Sequence, residues 1–193
     1  MLIFDIVIIM KRVTICGRHL ILGFLVLVSS ALIQQHAGAS PFGKGVFGAD
    51  VPFGSQTSIS IALGGNVNIN MTPSGANFSG TGSHTLTVTS NDVDGYKLYA
   101  SAPSGTDMMN GSDTISTSAN SSPGALATNS WGYNTSGSTV NFVGMLTTPT
   151  QIKDAAGPYT SGDDTTVTYG VIADITKGAG YYTVHVAYTA VPD

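Results

Sequence analysis

Past residue 56 the chain alternates between apolar and polar residues with a period of two, and no stretch of it carries a helical repeat. The longest runs lie at the end. Val167, Tyr169, Val171, Ala173 and Ile175 share one face, with Thr166, Thr168, Gly170, Ile172 and Asp174 opposite. Tyr182, Val184, Val186, Tyr188 and Ala190 share another, with Thr183, His185, Ala187 and Thr189 opposite. β-Branched and aromatic residues suit a pleated, half-buried surface. With Lys177-Gly178-Ala179-Gly180 as the turn, the two runs predict an antiparallel hairpin at the centre of the fold, against which earlier strands pack.

The same period marks residues 59–63 and 67–71, separated by Gly64-Gly65-Asn66. Phe78 is expected to plug the core beneath the break at Pro73-Ser74-Gly75. Residues 85–89 follow, with Leu86 and Val88 facing in. Residues 96–100 come next, with Tyr96, Leu98 and Ala100 inward and Asn91-Asp92-Val93-Asp94-Gly95 as the connection. Residues 102–130 read as a long Ser/Thr/Asn/Gly loop with one short strand at 113–116 and Ala125-Leu126 tucked in. Further strands are expected at 130–134 and 139–145, and residues 146–164 read as a second loop. About eight or nine strands at this spacing predict an all-β antiparallel sandwich over residues 57–193.

The first 39 residues have a different character. Lys11, Arg12, Arg18 and His19 precede an apolar run at 20–33, and Ala37-Gly38-Ala39 stands before Ser40. A basic region, a short apolar region and an A-x-A site are the parts of an export signal, so residues 1–39 are read as a signal peptide. MLIFDIVIIM lies upstream of where such a signal needs residues, which points to Met10 as the true start. If the leader stays uncut, it is the chain's one contact with a membrane. Residues 40–56, rich in Gly and Pro, read as a linker or N-terminal arm.

Composition narrows the function. Charged residues are 9% of the chain, against roughly 25% in ordinary soluble domains. Beyond Ala39 there are four lysines and ten aspartates, with no Arg and no Glu, a net of about −6 with neutral histidines. Such a surface repels a phosphate backbone and lacks the arginines that grip one, so nucleic acid is excluded as a partner. The one cysteine, Cys16, lies in the leader, which leaves the exported chain without disulfides.

Leu86-Thr87-Val88-Thr89, an Asp-containing turn, and then Gly95-Tyr96-Lys97-Leu98-Tyr99-Ala100 resemble the first motif of WxL-type bacterial surface domains, in which a strand of the form LTVTD leads to G-W-x-L-T-A. The resemblance extends over most of residues 57–191. It implies a secreted β-sandwich held non-covalently at the cell wall, with Tyr96 and Leu98 at the matching positions. Tyr96 stands where that family has Trp, and no second W-x-L occurs.

Candidate chemistry is sparse. Asp92 and Asp94 before Gly95 have half the spacing of a calcium loop, yet Asn, Asp and Gly are also the usual turn residues. No cofactor is expected, and calcium is the one candidate ion. Trp131 and Tyr133 offer flat faces to a sugar ring, although a lone Trp in a sandwich more often packs between its sheets. His84 and His185 sit in no nucleophile-elbow or metal-ligand pattern, and nothing gives Asp92 or Asp94 the environment of a glycosidase acid. A carbohydrate-active enzyme is therefore the weakest reading. The leading expectation is a secreted, non-enzymatic cell-surface or cell-wall-associated module, an adhesin that binds a wall polymer, surface protein or glycan through its long loops. The alternative is a subunit of a fibre or envelope layer that self-assembles when the arm at 40–56 adds a strand to a sheet edge.

Overall fold

The computed structural model describes residues 57–193 and the backbone of one strand near the N-terminus, Ile3–Ile8. These residues belong to one compact unit. The basic stretch, the apolar run, the cleavage motif and the arm lie outside the described residues. No helix occurs among those described. The strands are β1 (Ile3–Ile8), β2 (Ile59–Leu63), β3 (Val67–Asn70), β4 (Thr72–Ser74), β5 (Asn77–Ser90), β6 (Tyr96–Ser101), β7 (Met108–Asn110), β8 (Asp113–Thr117), β9 (Ser130–Asn134), β10 (Thr150–Ala155), β11 (Tyr159–Asp174) and β12 (Tyr181–Pro192). The protein is all-β, and its sheet is mixed but mostly antiparallel. The strand order is β10-β6-β12-β7-β8-β9-β11-β5-β2, with β1 between β12 and β3 and with β4 on β5. Among the described strands only the β1–β12 and β8–β9 pairings are parallel.

The faces read from alternation are the faces that are buried. Val167, Tyr169, Val171 and Ala173 of β11 join Tyr182, Val184, Val186 and Tyr188 of β12 in one core with Leu86, Val88, Tyr96 and Leu98. Ile175 was expected on that face, but it lies beyond the end of β11 and is 69% exposed. The predicted hairpin does not form. β11 pairs with β5 and β9, while β12 pairs with β6, β7 and β1. Neither do β5 and β6 pair with each other. Each of these connections sends the chain to a different set of neighbours, and β11 meets β12 through the side chains of Tyr169 and Tyr188 rather than through ladder hydrogen bonds.

Two glycines show how closely the elements approach. A Cβ on Gly80 would press into Ile69, and one on Gly82 into Val67. β3 therefore crosses β5 at a separation only glycine allows, which explains two glycines in the middle of a strand. Elsewhere the expected loops and strands need correcting. Residues 139–145 make only isolated bridges, Gly124 with Phe142 and Tyr133 with Val143, rather than a strand. Residues 146–164, expected as loop, contain β10 and the start of β11, and β7 was not anticipated. β10 is an edge strand on β6, and its Gln151, Lys153 and Asp154 leave no apolar alternation to read.

Candidate functional site

The residues singled out for ligand contact are core residues. Tyr96, Leu98 and Trp131 are fully buried, and Tyr133 is 5% exposed. As placed, Tyr96, Leu98 and Trp131 offer no face to a ligand, while Tyr133 lines a groove of about 210 Å³ with Pro123, Asn134 and Gln151. The Tyr96 ring meets Tyr159 edge-on, and its Oη donates to Asp163 Oδ2 at 2.9 Å. Asp163 also holds Lys153 at 2.8 Å. Burial, and then the Asp163 carboxylate, push the Tyr96 phenol above its ordinary pKa. Trp131 packs near Tyr169 and donates from Nε1 to Thr106 O at 2.8 Å, which pins the long loop to the core.

Asp92 and Asp94 form a turn. Asp92 N donates to Ser90 Oγ, Asp94 N donates to Asp92 Oδ1 at 3.0 Å, and Ser58 N donates to Asn91 Oδ1. Side-chain oxygens that accept from backbone N–H two residues on are what make Asx turns favourable. Asp163 and Asp164 are engaged with Tyr96, Lys153 and Thr87. Among the described residues no three His, Cys, Asp or Glu gather where they could share a metal ion.

A buried polar chain that sequence reasoning missed starts at His84. The ring is 7% exposed and contacts both Tyr169 and Tyr188. Its Nδ1 lies 3.0 Å from Gly65 O. A carbonyl only accepts, so Nδ1 carries the proton and Nε2 accepts from Tyr188 Oη at 3.1 Å. Tyr188 in turn accepts from Tyr169 Oη. The available signal was parity: His84 falls on the same alternation as Leu86 and Val88.

Burial lowers the pKa of His84 below 6.5, and the Gly65 hydrogen bond opposes this only in part. The unfolded chain then binds the proton more readily than the folded one. The stability owed to the neutral ring is full above about 6.5, declines as the pH falls below that, and levels off once the folded ring is protonated. Denaturant titrations from pH 8 to 5 are expected to show this decline in the wild type. His84→Gln is expected to be less stable at pH 8 and flat across the window. An equal slope in both proteins would remove His84 as its cause.

A surface groove lies on the other face of β5 and β11. It is a groove of about 580 Å³ lined by Asn70, Thr72, Ser79, Thr81, Thr139 and Val140, with Leu126, Phe142 and Ile172 as apolar wall. Phe142 is 3% exposed and its ring lies over Gly170, which has no side chain to displace it. Val140, in contrast, is 65% exposed at the rim. No lining residue carries a charge. A second groove of about 440 Å³ runs past Ser104, Asp107, Met109 and His185. Both draw on residues within 102–130, and the stretch 146–164 contributes to neither.

No family model, curated protein or solved structure matches this chain.

Proposed function

We propose that this chain is an exported, non-enzymatic binding module of a bacterial cell surface, similar to WxL-type domains in its β5–β6 region. Its leader is residues 1–39, and residues 57–193 form a β-sandwich. One layer is β2, β5, β11 and β9, and the other is β10, β6, β12 and β3. The link from His84 and Tyr169 across to Tyr188 supports that layering, since it joins strands that share no ladder. The observation that carries the functional reading is the uncharged groove beside Phe142. An apolar floor rimmed by hydroxyl and amide groups suits a neutral ligand with apolar faces and many hydroxyls, such as a wall glycan, and gives an ionic polymer no counter-charge.

A second reading is a fibre or envelope-layer subunit that assembles by strand addition. It has one observation behind it: β12 and β3 share a partner strand, β1, that residues 57–193 do not supply.

The groove is tested by retention on purified cell wall. Val140→Asp sits at an exposed position, so the fold tolerates it, but it places a charge where the ligand would have to desolvate it. Retention is expected to fall by about tenfold or more, equivalent to at least about 1.4 kcal/mol. Full retention by Val140→Asp and by Ile172→Asp would take binding away from this groove. Wild-type protein that does not bind cell wall would end the wall-attachment reading.

A further inference from the structure

β1 lies upstream of the basic stretch, in residues read as leader, and yet its backbone is paired on both edges. On one side it runs parallel to β12, with Ile3 level with Tyr181 and Ile8 level with Val186. On the other it runs antiparallel to β3, with Ile3 opposite Asn70 and Ile6 opposite Val67. β3 has no other ladder partner among the described strands. Without β1, two strand edges one strand-width apart would face each other with unpaired N–H and C=O groups. That arrangement is a slot for an extended segment.

The register states what such a segment must look like. Phe4 is level with Ile69 and Tyr182, and Ile6 with Val67 and Val184, all four of them buried. Ile3, Asp5 and Val7 are level with Tyr181, Thr183 and His185, of which Tyr181 and His185 are exposed. The slot takes apolar residues at every second position.

We propose that in the exported chain, once the leader is gone, the slot is filled by the same chain's residues 47–51, running parallel to β12 in the place of β1. This rests on the leader reading above. Phe47, Ala49 and Val51 alternate with Gly48 and Asp50, and Phe53 continues the phase. They match Phe4, Ile6 and Ile8 position for position.

The reach also fits. Val67 abuts Gly82, and the level of Ile8 lies two residues closer to β2. From there to Ile59, which pairs with Ser90, is a span of six residues along β5, about 20 Å. Val51 precedes Ile59 by eight residues, about 26 Å of extended chain, and β2 itself approaches β12. Pro52, which has no N–H to donate, falls just past the paired positions. A neighbour's arm has the same pattern, but a tethered arm acts at an effective concentration in the millimolar range.

The test uses the chain produced with its own leader and collected after export. Intact mass reads where it starts, size-exclusion chromatography reads its state of association, and amide hydrogen exchange is followed over residues 181–186. The expected result is a chain beginning at Ser40, monomeric, with those amides protected. Val51→Asp should speed their exchange by about tenfold or more, since local opening sets the rate, while residues 86–88 stay protected. A processed wild-type chain whose β12 amides exchange as fast as those of Val51→Asp overturns the proposal and leaves the leader reading intact. Oligomers that Val51→Asp dissolves also overturn it, because they place the arm in a second copy. An uncut chain in which Ile6→Asp opens β12 and Val51→Asp does not overturns both the proposal and the leader reading.

Discussion

Tyr96→Ala is expected to destabilise the protein by about 3–5 kcal/mol, the range for truncating a large buried aromatic that leaves a cavity. The side chain is completely buried, and three things rest on it: the edge-on contact with Tyr159, the hydrogen bond to Asp163, and through Asp163 the tie to Lys153 of β10. Tyr96→Phe keeps the ring and loses one donor. Asp163 retains Lys153, so this change is expected to cost only about 1–2 kcal/mol. Denaturant midpoints of the two variants separate packing from polarity. Equal losses would show that the hydroxyl, not the ring, is what β6 needs at this position. The result also bears on the WxL resemblance. A binding defect in Tyr96→Ala is uninterpretable unless the domain is still folded, whereas Tyr96→Phe leaves the surface unaltered and should bind cell wall as the wild type does.

How much of this was legible in the sequence depends on what alternation can encode. It states which side chains of a strand face the core, and Leu86, Val88, Tyr96, Leu98, Val184 and Val186 all lie where it puts them. It is silent on which edge meets which neighbour. Thr165 through Ile175 and Tyr181 through Val191 read equally well as a hairpin or as strands that part company, and they part. A strand also vanishes from the pattern when neither of its faces is covered: β10, on the rim, buries only Ala155. The groove was illegible for another reason. Its walls come from separate segments near residues 70, 80, 125, 140 and 171, none of which looks unusual alone. Trp131 and Tyr133 suggest a sugar platform because aromatic faces bind sugars, but a domain of this size needs large apolar side chains for its own core first.

Gly95→Ala is expected to cost about 3 kcal/mol or more, from two separate causes. Gly95 has φ of 114°, a conformation that costs a residue bearing a Cβ at least about 1–2 kcal/mol. The added Cβ would also overlap the carbonyl oxygen of Ala155, and forcing atoms into occupied space costs about 1–3 kcal/mol more. Gly111→Ala is the matched control: φ is 60°, nothing lies near the added carbon, and only the backbone cost of about 1–2 kcal/mol is expected. If the two variants melt together, β10 yields freely at Ala155 and the edge of the sheet is soft. If Gly95→Ala is the worse by the margin expected, then Ser90, Asn91, Asp92 and Gly95 each have their reason in the turn. Ser90 and Asp92 accept the backbone N–H groups two residues on, Asn91 ties the start of β2, and Gly95 supplies the one conformation that lets β6 begin against β10. The acidic spacing that suggests a cation is then the spacing by which the chain turns from β5 to β6.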